Sequence, residues 1–170
     1  MATYDSFPFS DIRSLIWSEL KDKEILDEND YWSESFKQHL NPIIPSQQVP
    51  EFQNLFPGQV YVVYDVETNS YDSEFWICAE TATLNVIGNN YIKVYEILEL
   101  IKDLFRRFDV SASDINRNSS GSLYRFLKTS IDGLYSPEYG EDEGGNVSGV
   151  IRIYYEYVRE IDSSTGRYLY

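Results

Sequence analysis

The sequence is poor in the side chains on which many enzymes and metal sites depend. Among its 170 residues there is one cysteine, Cys78, and one histidine, His39. A single cysteine cannot form an internal disulfide, which is typical of a protein from a reducing compartment. One cysteine and one histidine also cannot supply the tetrahedral nitrogen and sulfur ligands of zinc. The sequence therefore predicts no disulfide framework and no zinc site.

Positive charge is scarce as well. The chain has 14 Lys and Arg residues against 28 Asp and Glu residues, a formal net charge of −14. Nucleic-acid binding needs clustered cations that displace counterions from the phosphate backbone, so this balance disfavours it. A negative surface remains compatible with a passage through which DNA slides without adhering. No apolar run approaches the ~20 residues that span a bilayer, so we expect no membrane segment.

Catalytic and cofactor motifs are hard to find. The sequence has no Gly-x-Ser-x-Gly, no Walker loop and no Gly-x-Gly-x-x-Gly. His39 stands just before Asn41-Pro42, where a surface residue is the expected interpretation. Cys78 lies within a predicted strand, which favours a buried structural thiol. We therefore predict no catalytic residue and no cofactor.

Carboxylates are the remaining candidates for chemistry. Glu80 lies in a largely apolar strand, and a meeting with Asp65 or Glu67 would form a carboxylate pair for acid/base work. A solvent-facing strand acid is the simpler interpretation of Glu80. An acidic cluster without EF-hand spacing leaves calcium open, although a solvated loop is the simpler interpretation. It consists of Glu138, Glu141, Asp142 and Glu143.

Aromatic residues are abundant: fifteen Tyr, nine Phe and three Trp make up 16% of the chain. Tyr and Trp combine a large apolar area with a polar group and concentrate at protein interfaces. They are also common as half-buried strand residues. The excess therefore indicates contact surface, strand packing or both.

Apolar spacing predicts two amphipathic helices. Ser10 and Asp11 are typical of a helix start, and this helix ends near Asp22. The second helix is the clearest element, with Arg106 and Arg107 in its last turn, and it must pack on a sheet or another helix. Its apolar stripe consists of Val94, Ile97, Leu98, Ile101, Leu104, Phe105 and Phe108. We expect a polar connection over residues 109–122 and, near Trp32 and Phe36, a short helical turn.

Residues 41–58 form a proline-rich segment, with Pro42, Pro45, Pro50 and Pro57. Repeated proline removes backbone donors and interrupts helices, which predicts an extended arm or loop. The segment is too apolar for a free linker, so it should lie against its own domain or a neighbour. Its candidate contact residues are Ile43, Ile44, Phe52 and Phe56.

Alternating apolar residues predict strands at 59–67, 74–88, 123–129 and 147–160. The first two form a hairpin, and residues 136–145 form an acidic, glycine-rich loop. The fold class is α+β: an antiparallel sheet with the long amphipathic helix packed on one face, an N-terminal helix and the proline-rich extended arm. Residues 1–160 make a single domain, and residues 161–170 a flexible C-terminal tail.

Several local phrases resemble tail-terminator and tail-completion (neck) proteins of long-tailed bacteriophages. They include Tyr61-Val62-Val63-Tyr64-Asp65-Val66, Glu80-Thr81-Ala82-Thr83, Val94-Tyr95-Glu96-Ile97-Leu98 with Asp103-Leu104-Phe105, and Asp109-Val110-Ser111-Ala112-Ser113-Asp114-Ile115-Asn116. The opening Phe7-Pro8-Phe9-Ser10-Asp11-Ile12 resembles myovirus-like relatives. The resemblance covers residues 59–160.

The resemblance implies a structural subunit of a ring, typically a hexamer, at the head-proximal end of the tail. Such a ring caps the tail tube, stops its elongation and joins the tail to the head connector. The implied partners are copies of the chain, tail-tube or sheath proteins and connector proteins, with DNA passing through without specific binding. The implied location is the virion, and the host cytoplasm during assembly.

Under this interpretation, loops and exposed aromatics make the contacts. The hairpin tip at 69–73 and the acidic loop at 138–145 would reach the tube or connector, and the arm would bridge subunits. The aromatic candidates are Tyr71, Tyr135, Tyr139, Tyr168 and Tyr170.

Two other functions stay open. An acidic adaptor or immunity-type domain would bind one basic protein without self-assembly. A carboxylate enzyme would use Glu80 with a divalent metal.

Overall fold

The computed structural model describes residues 7–69, 77–120, 122–139 and 146–159, with the backbone alone for residues 134–139. It confirms the α+β class. The helices are α1 Pro8–Asp22, α2 Val49–Leu55, α3 Tyr91–Phe105 and α4 Phe108–Asn118, with 3-10 turns at Glu28–Tyr31 and Ser46–Gln48. The strands are β1 Trp32–Ser33, β2 Gln38–His39, β3 Ile43–Pro45, β4 Tyr61–Thr68, β5 Ile77–Gly88, β6 Tyr124–Tyr139 and β7 Val147–Arg159.

Five strands form one sheet in the order β3-β4-β5-β7-β6, and β1 pairs with β2 in a separate small hairpin. The predicted β4–β5 hairpin is confirmed by the antiparallel register from Tyr61↔Ile87 to Thr68↔Glu80. The predicted antiparallel sheet is confirmed for β4, β5, β7 and β6, and the short edge strand β3, which was not predicted, runs parallel to β4.

The helices cover one face of the sheet. Along β5 and β7, alternate residues are buried beneath α3, which contacts β5, β6 and β7. Leu84 and Ile151 form one cross-strand pair of this core, and Ala82 and Ile153 form the next. Helix α4 packs on β6, and α1 packs on α3 and α4. The side chains of opposite parity lie on the other face, which we call the open face.

Helix α3 follows the predicted stripe, with one correction at its C-terminal end. The side chain of Asn90 caps it by accepting hydrogen bonds from the backbone N–H groups of Ile92 and Lys93. The helix ends at Phe105, so Phe108 does not continue the buried stripe and is 57% exposed. Arg106 is the C-terminal cap, and Arg107 lies beyond the helix.

A second correction concerns residues 109–122, which were expected to be a polar connection. Most of this segment is helix α4, which buries only Ser111, Ala112 and Ile115. Apart from Phe108 and Val110 near its start, its other residues are Ser, Asp, Asn and Arg, and several of these types have weak intrinsic helix propensity. Packing against β6 and α1 therefore stabilises a helix that its composition does not indicate.

The N-terminal third also departs from expectation. Helix α1 begins at Pro8, because Pro suits the first helical position, and the Ser10 hydroxyl donates to the carbonyl of Phe7 at 2.6 Å instead of capping. The expected helical turn near Trp32 and Phe36 is instead the β1–β2 hairpin.

The proline-rich segment is only partly extended. It contributes the edge strand β3 and then the helix α2, which Pro50 helps to start. The prediction of an extended arm was therefore wrong for its second half. Ile43, Ile44, Phe52 and Phe56 are all buried in the chain's own core, so the segment lies against its own domain.

Strand β6 is longer than predicted. It runs to Tyr139, which pairs with Val147, so residues 136–139 belong to a strand and not to the expected loop. Three register shifts interrupt its pairing with β7, the first of them at Leu127. The rest of the acidic loop, most of the hairpin tip and the predicted tail at 161–170 lie outside the described residues. Within the described ranges, no helix is long and apolar enough to cross a membrane.

Candidate functional site

A buried polar cluster lies on the helix-covered face of the sheet. Glu80 of β5 is only 9% exposed and pairs in register with Tyr155 of β7. The Tyr155 hydroxyl donates to Glu80 Oε2 at 2.6 Å, and the Tyr157 hydroxyl donates to Glu80 Oε1 at 2.9 Å. The interpretation of Glu80 as a solvent-facing acid was therefore wrong.

Aromatic rings surround this cluster. Tyr124 packs edge-on against Tyr157 at 5.5 Å between ring centroids, and Phe126 lies 5.9 Å from Tyr155. Burial raises the pKa of both Tyr155 and Tyr157, and the neighbouring Glu80 carboxylate raises it further. Both phenols therefore remain protonated and continue to donate to Glu80 through the neutral range.

The alternative interpretation, a carboxylate pair of Glu80 with Asp65 or Glu67, is not what the structure shows. Asp65 and Glu67 pair with Thr83 and Thr81, so their side chains lie on the open face, opposite to Glu80. Each Glu80 oxygen already accepts a phenol hydrogen bond. This arrangement satisfies both oxygens of a buried carboxyl group and joins two strands, and it offers no second carboxylate for acid/base chemistry.

Cys78 and His39 lie where the sequence predicts them. Cys78 is a buried free thiol on the helix-covered face. His39 is exposed on β2, its Nδ1 lies 2.9 Å from the Glu28 carbonyl, and its ring packs against Trp32. Among the described side chains, no group of three or more His, Cys, Asp or Glu residues is placed to hold a metal ion.

Large apolar side chains are exposed at the two ends of α3. Tyr91, Ile92 and Tyr95 form a patch at its N-terminal end, and Ile92 is 67% exposed. Phe108 and Val110 form a second patch just after its C-terminal end. A helix rises ~1.5 Å per residue, so roughly 20 Å separates the two patches, which makes them distinct surfaces.

Phe108 is unusual in its backbone as well as its exposure. Its φ is 45°, in the left-handed region that bulky residues rarely adopt. Such a conformation costs of order 1–3 kcal/mol and is concentrated at functional sites. An exposed aromatic in a strained conformation contributes little to the chain's own core, which makes Phe108 a candidate contact residue.

A third apolar surface lies between the β1–β2 hairpin and α2. Phe36 is 52% exposed at the rim of a cavity of about 240 Å³, whose apolar lining includes Leu40, Ile44, Phe52 and Leu55. The cavity is large enough for one side chain and too small for most cofactors.

The predicted contact residues fall into three groups. Ile43, Ile44, Phe52 and Phe56 are core residues, and Ile44 and Phe52 also line the cavity of about 240 Å³. Tyr135 and Tyr139 lie in the part of β6, residues 134–139, for which only the backbone is described. Tyr71, Tyr168 and Tyr170 lie outside the described residues.

Sequence reasoning missed the patches at the ends of α3. Tyr91, Ile92 and Tyr95 fall off the apolar stripe of that helix, and this was the signal that could have found them. Phe108 fits the stripe by spacing, so only the break between α3 and α4 exposes it.

No family model matches the chain, and no curated protein matches it.

Proposed function

We propose that the chain is a structural subunit of a bacteriophage tail-terminator or neck ring. The main observation that supports this proposal is the pair of separate apolar patches at the two ends of α3, one of which includes the strained Phe108. A monomer without partners rarely exposes clustered large apolar side chains, and two distinct surfaces suit a subunit with more than one neighbour.

The proposed ring is a hexamer that caps the tail tube, stops its elongation and joins the tail to the head connector. Its α+β fold and its net charge of −14 are compatible with this role. A negative charge repels the phosphate backbone, so DNA passes through the ring without being held. The chain acts in the virion, after assembly in the host cytoplasm.

The proposed function is not catalytic. Glu80, the strongest sequence candidate for acid/base chemistry, has both oxygens occupied by buried tyrosines. Its role is then to satisfy and orient the polar groups of the β5–β7 pair. Asp65 and Glu67, the two carboxylates of the neighbouring strand, lie on the opposite face of the sheet from Glu80.

Electron microscopy of the purified chain tests the ring. We expect closed rings of six copies with a central channel, and added rings should cap polymerising tail tubes and shorten their length distribution. Particles that remain monomeric at every concentration, together with tubes of unchanged length, would overturn the proposal.

An acidic adaptor is the second candidate, and one segment favours it. Residues 19–34 contain seven acids and two lysines. The acids are Glu19, Asp22, Glu24, Asp27, Glu28, Asp30 and Glu34, and several line a cavity of about 600 Å³. An adaptor would form a defined heterodimer with a basic protein and would not self-assemble.

A further inference from the structure

The open face of the sheet carries opposite charges at its two margins. On β4, Asp65 and Glu67 are exposed on this face, and we call them the acidic margin. On β6, Arg125 and Lys128 are exposed on the same face, where they pair with Val158 and Glu156 of β7, and we call them the basic margin. The strand order places β5 and β7 between the two margins.

The two margins do not neutralise each other within one copy. Three strand spacings of ~4.8 Å separate β4 from β6, which gives roughly 14 Å. This distance exceeds the Debye length of ~8 Å at physiological ionic strength, so the attraction between the margins is largely screened. Within the described residues, no salt bridge involves Asp65, Glu67, Arg125 or Lys128.

The margins are also accessible at the edges of the sheet. Strand β3 pairs with β4 only as far as Tyr64, so β4 has no outer neighbour from Asp65 onward among the described strands. Strand β6 forms the opposite edge of the sheet. Lys128 lies over the Tyr154 ring at 5.8 Å, which positions its charge on the open face.

We infer that the acidic margin of one copy docks against the basic margin of the next copy. A ring needs a heterologous contact, in which two different surfaces of the same chain meet. The two margins match in number, two acids and two bases, and they lie at opposite sides of one face. This inference rests on the proposed ring and identifies its lateral contact, which leaves the apolar patches of α3 for other neighbours.

A second copy fits these charges better than a nucleic acid does. A phosphate backbone would use the basic margin alone and leave Asp65 and Glu67 without a partner. A basic protein would use the acidic margin alone and leave the basic margin without a partner. The second copy is the occupant that uses both margins.

Charge reversal tests the inference. Asp65→Lys/Glu67→Lys makes both margins basic, and Arg125→Glu/Lys128→Glu makes both acidic. In sedimentation velocity, the dissociation constant for self-association of each double variant should be at least about tenfold higher than that of wild type, because juxtaposed like charges oppose docking. Mixing the two double variants should restore association, since each then meets a complementary margin. The chain with all four reversals should associate like wild type.

The matched control for Asp65→Lys/Glu67→Lys is Glu24→Lys/Glu96→Lys, which makes the same change of charge at two exposed positions away from the open face. It should associate like wild type, and circular dichroism should show that every variant is folded. The inference would be overturned if wild type self-associates and neither double variant self-associates more weakly, or if mixing the two double variants does not restore association. Either result would leave the ring proposal standing. A wild-type chain that stays monomeric would overturn both. The inference would also be overturned if Arg125→Glu/Lys128→Glu lost binding to DNA while its self-association stayed unchanged. That result would assign the basic margin to nucleic acid.

Discussion

Glu80 shows how one residue's role depends on strands that are distant in sequence. Its hydrogen-bond partners, Tyr155 and Tyr157, lie 75 and 77 residues further along the chain. The sequence of β5 shows an acid among apolar residues, but it does not show which tyrosine hydroxyls donate hydrogen bonds to that acid. Buried carboxylates are expensive unless they are hydrogen-bonded, so this cluster stabilises the β5–β7 pair only as a complete set.

Removing the acceptor should therefore destabilise the fold. Glu80→Ala leaves two buried hydroxyls without a partner, and we expect the free energy of unfolding to fall by about 2–3 kcal/mol in denaturant titration. Glu80→Gln keeps one acceptor oxygen and should lose about half as much. The exposed control Glu96→Gln should change stability by less than about 0.5 kcal/mol. A Glu80→Ala variant as stable as this control would contradict the structural role.

The raised pKa values of Tyr155 and Tyr157 predict an alkaline loss of stability. An unfolded tyrosine has a pKa of 10.0, and the folded values lie above it, so the folded state binds these protons more tightly. Stability should be unaffected by these groups below pH 10.0 and should fall as the pH rises above it. Tyr155→Phe/Tyr157→Phe should show a shallower loss in pH-dependent unfolding. An equally steep loss would assign the effect to other groups, of which the buried Tyr31 is the first candidate.

Elements whose apolar pattern and length agree were predictable. Helix α3 and strands β4, β5 and β7 have strong periodicity over many residues, and each lies close to its predicted position. Helix α4 and the extension of β6 were not predictable in this way. The first has few buried residues, and the second continues through Ser136 and Pro137, which locally favour a turn.

The junction of β5 and α3 depends on one glycine. A Cβ added at Gly88 would lie 2.9 Å from Val60 Cγ2 and 3.3 Å from Val94 Cγ2. Gly88→Ala should lower the free energy of unfolding by about 1–3 kcal/mol, because this contact overpacks the core. Adding Val60→Ala should recover part of the loss in the same unfolding experiment. Full stability of Gly88→Ala alone would show that the junction can relax.

The junction of α3 and α4 makes the opposite prediction. Phe108→Gly relieves a φ of 45°, and we expect the free energy of unfolding to rise by about 1 kcal/mol. Val110→Gly is the matched control, since it lies on the same exposed patch without positive φ and should be destabilised. A loss of stability in Phe108→Gly would mean that Phe108 supports the subunit's own fold and would weaken its assignment as a contact residue.

The sequence predicts the fold class of this chain better than it predicts the surfaces of the folded molecule. Burial of Ile43, Ile44, Phe52 and Phe56 in the core shows that apolar content alone does not distinguish an inter-subunit arm from a segment packed on its own domain. The charged margins could not be predicted either, because they depend on the strand order β4-β5-β7-β6. The sequence alone does not show that Asp65 and Arg125 lie on the same face of the sheet, because this depends on the strand order.

The distribution of charge also changes the interpretation of the acidic composition. The net charge of the chain is −14, but the charge is not spread evenly over the surface. The open face has a basic margin opposite its acidic margin. In the proposed ring, these margins hold neighbouring copies together, and the remaining excess of negative charge keeps DNA from adhering.

The proposed ring requires self-association, and sedimentation velocity of the wild-type chain over a range of concentrations measures it. We expect a monomer that converts to one defined oligomer, a closed hexamer, with an equilibrium that weakens as salt is added. A single monomeric species at all concentrations and salt levels would overturn the proposed ring.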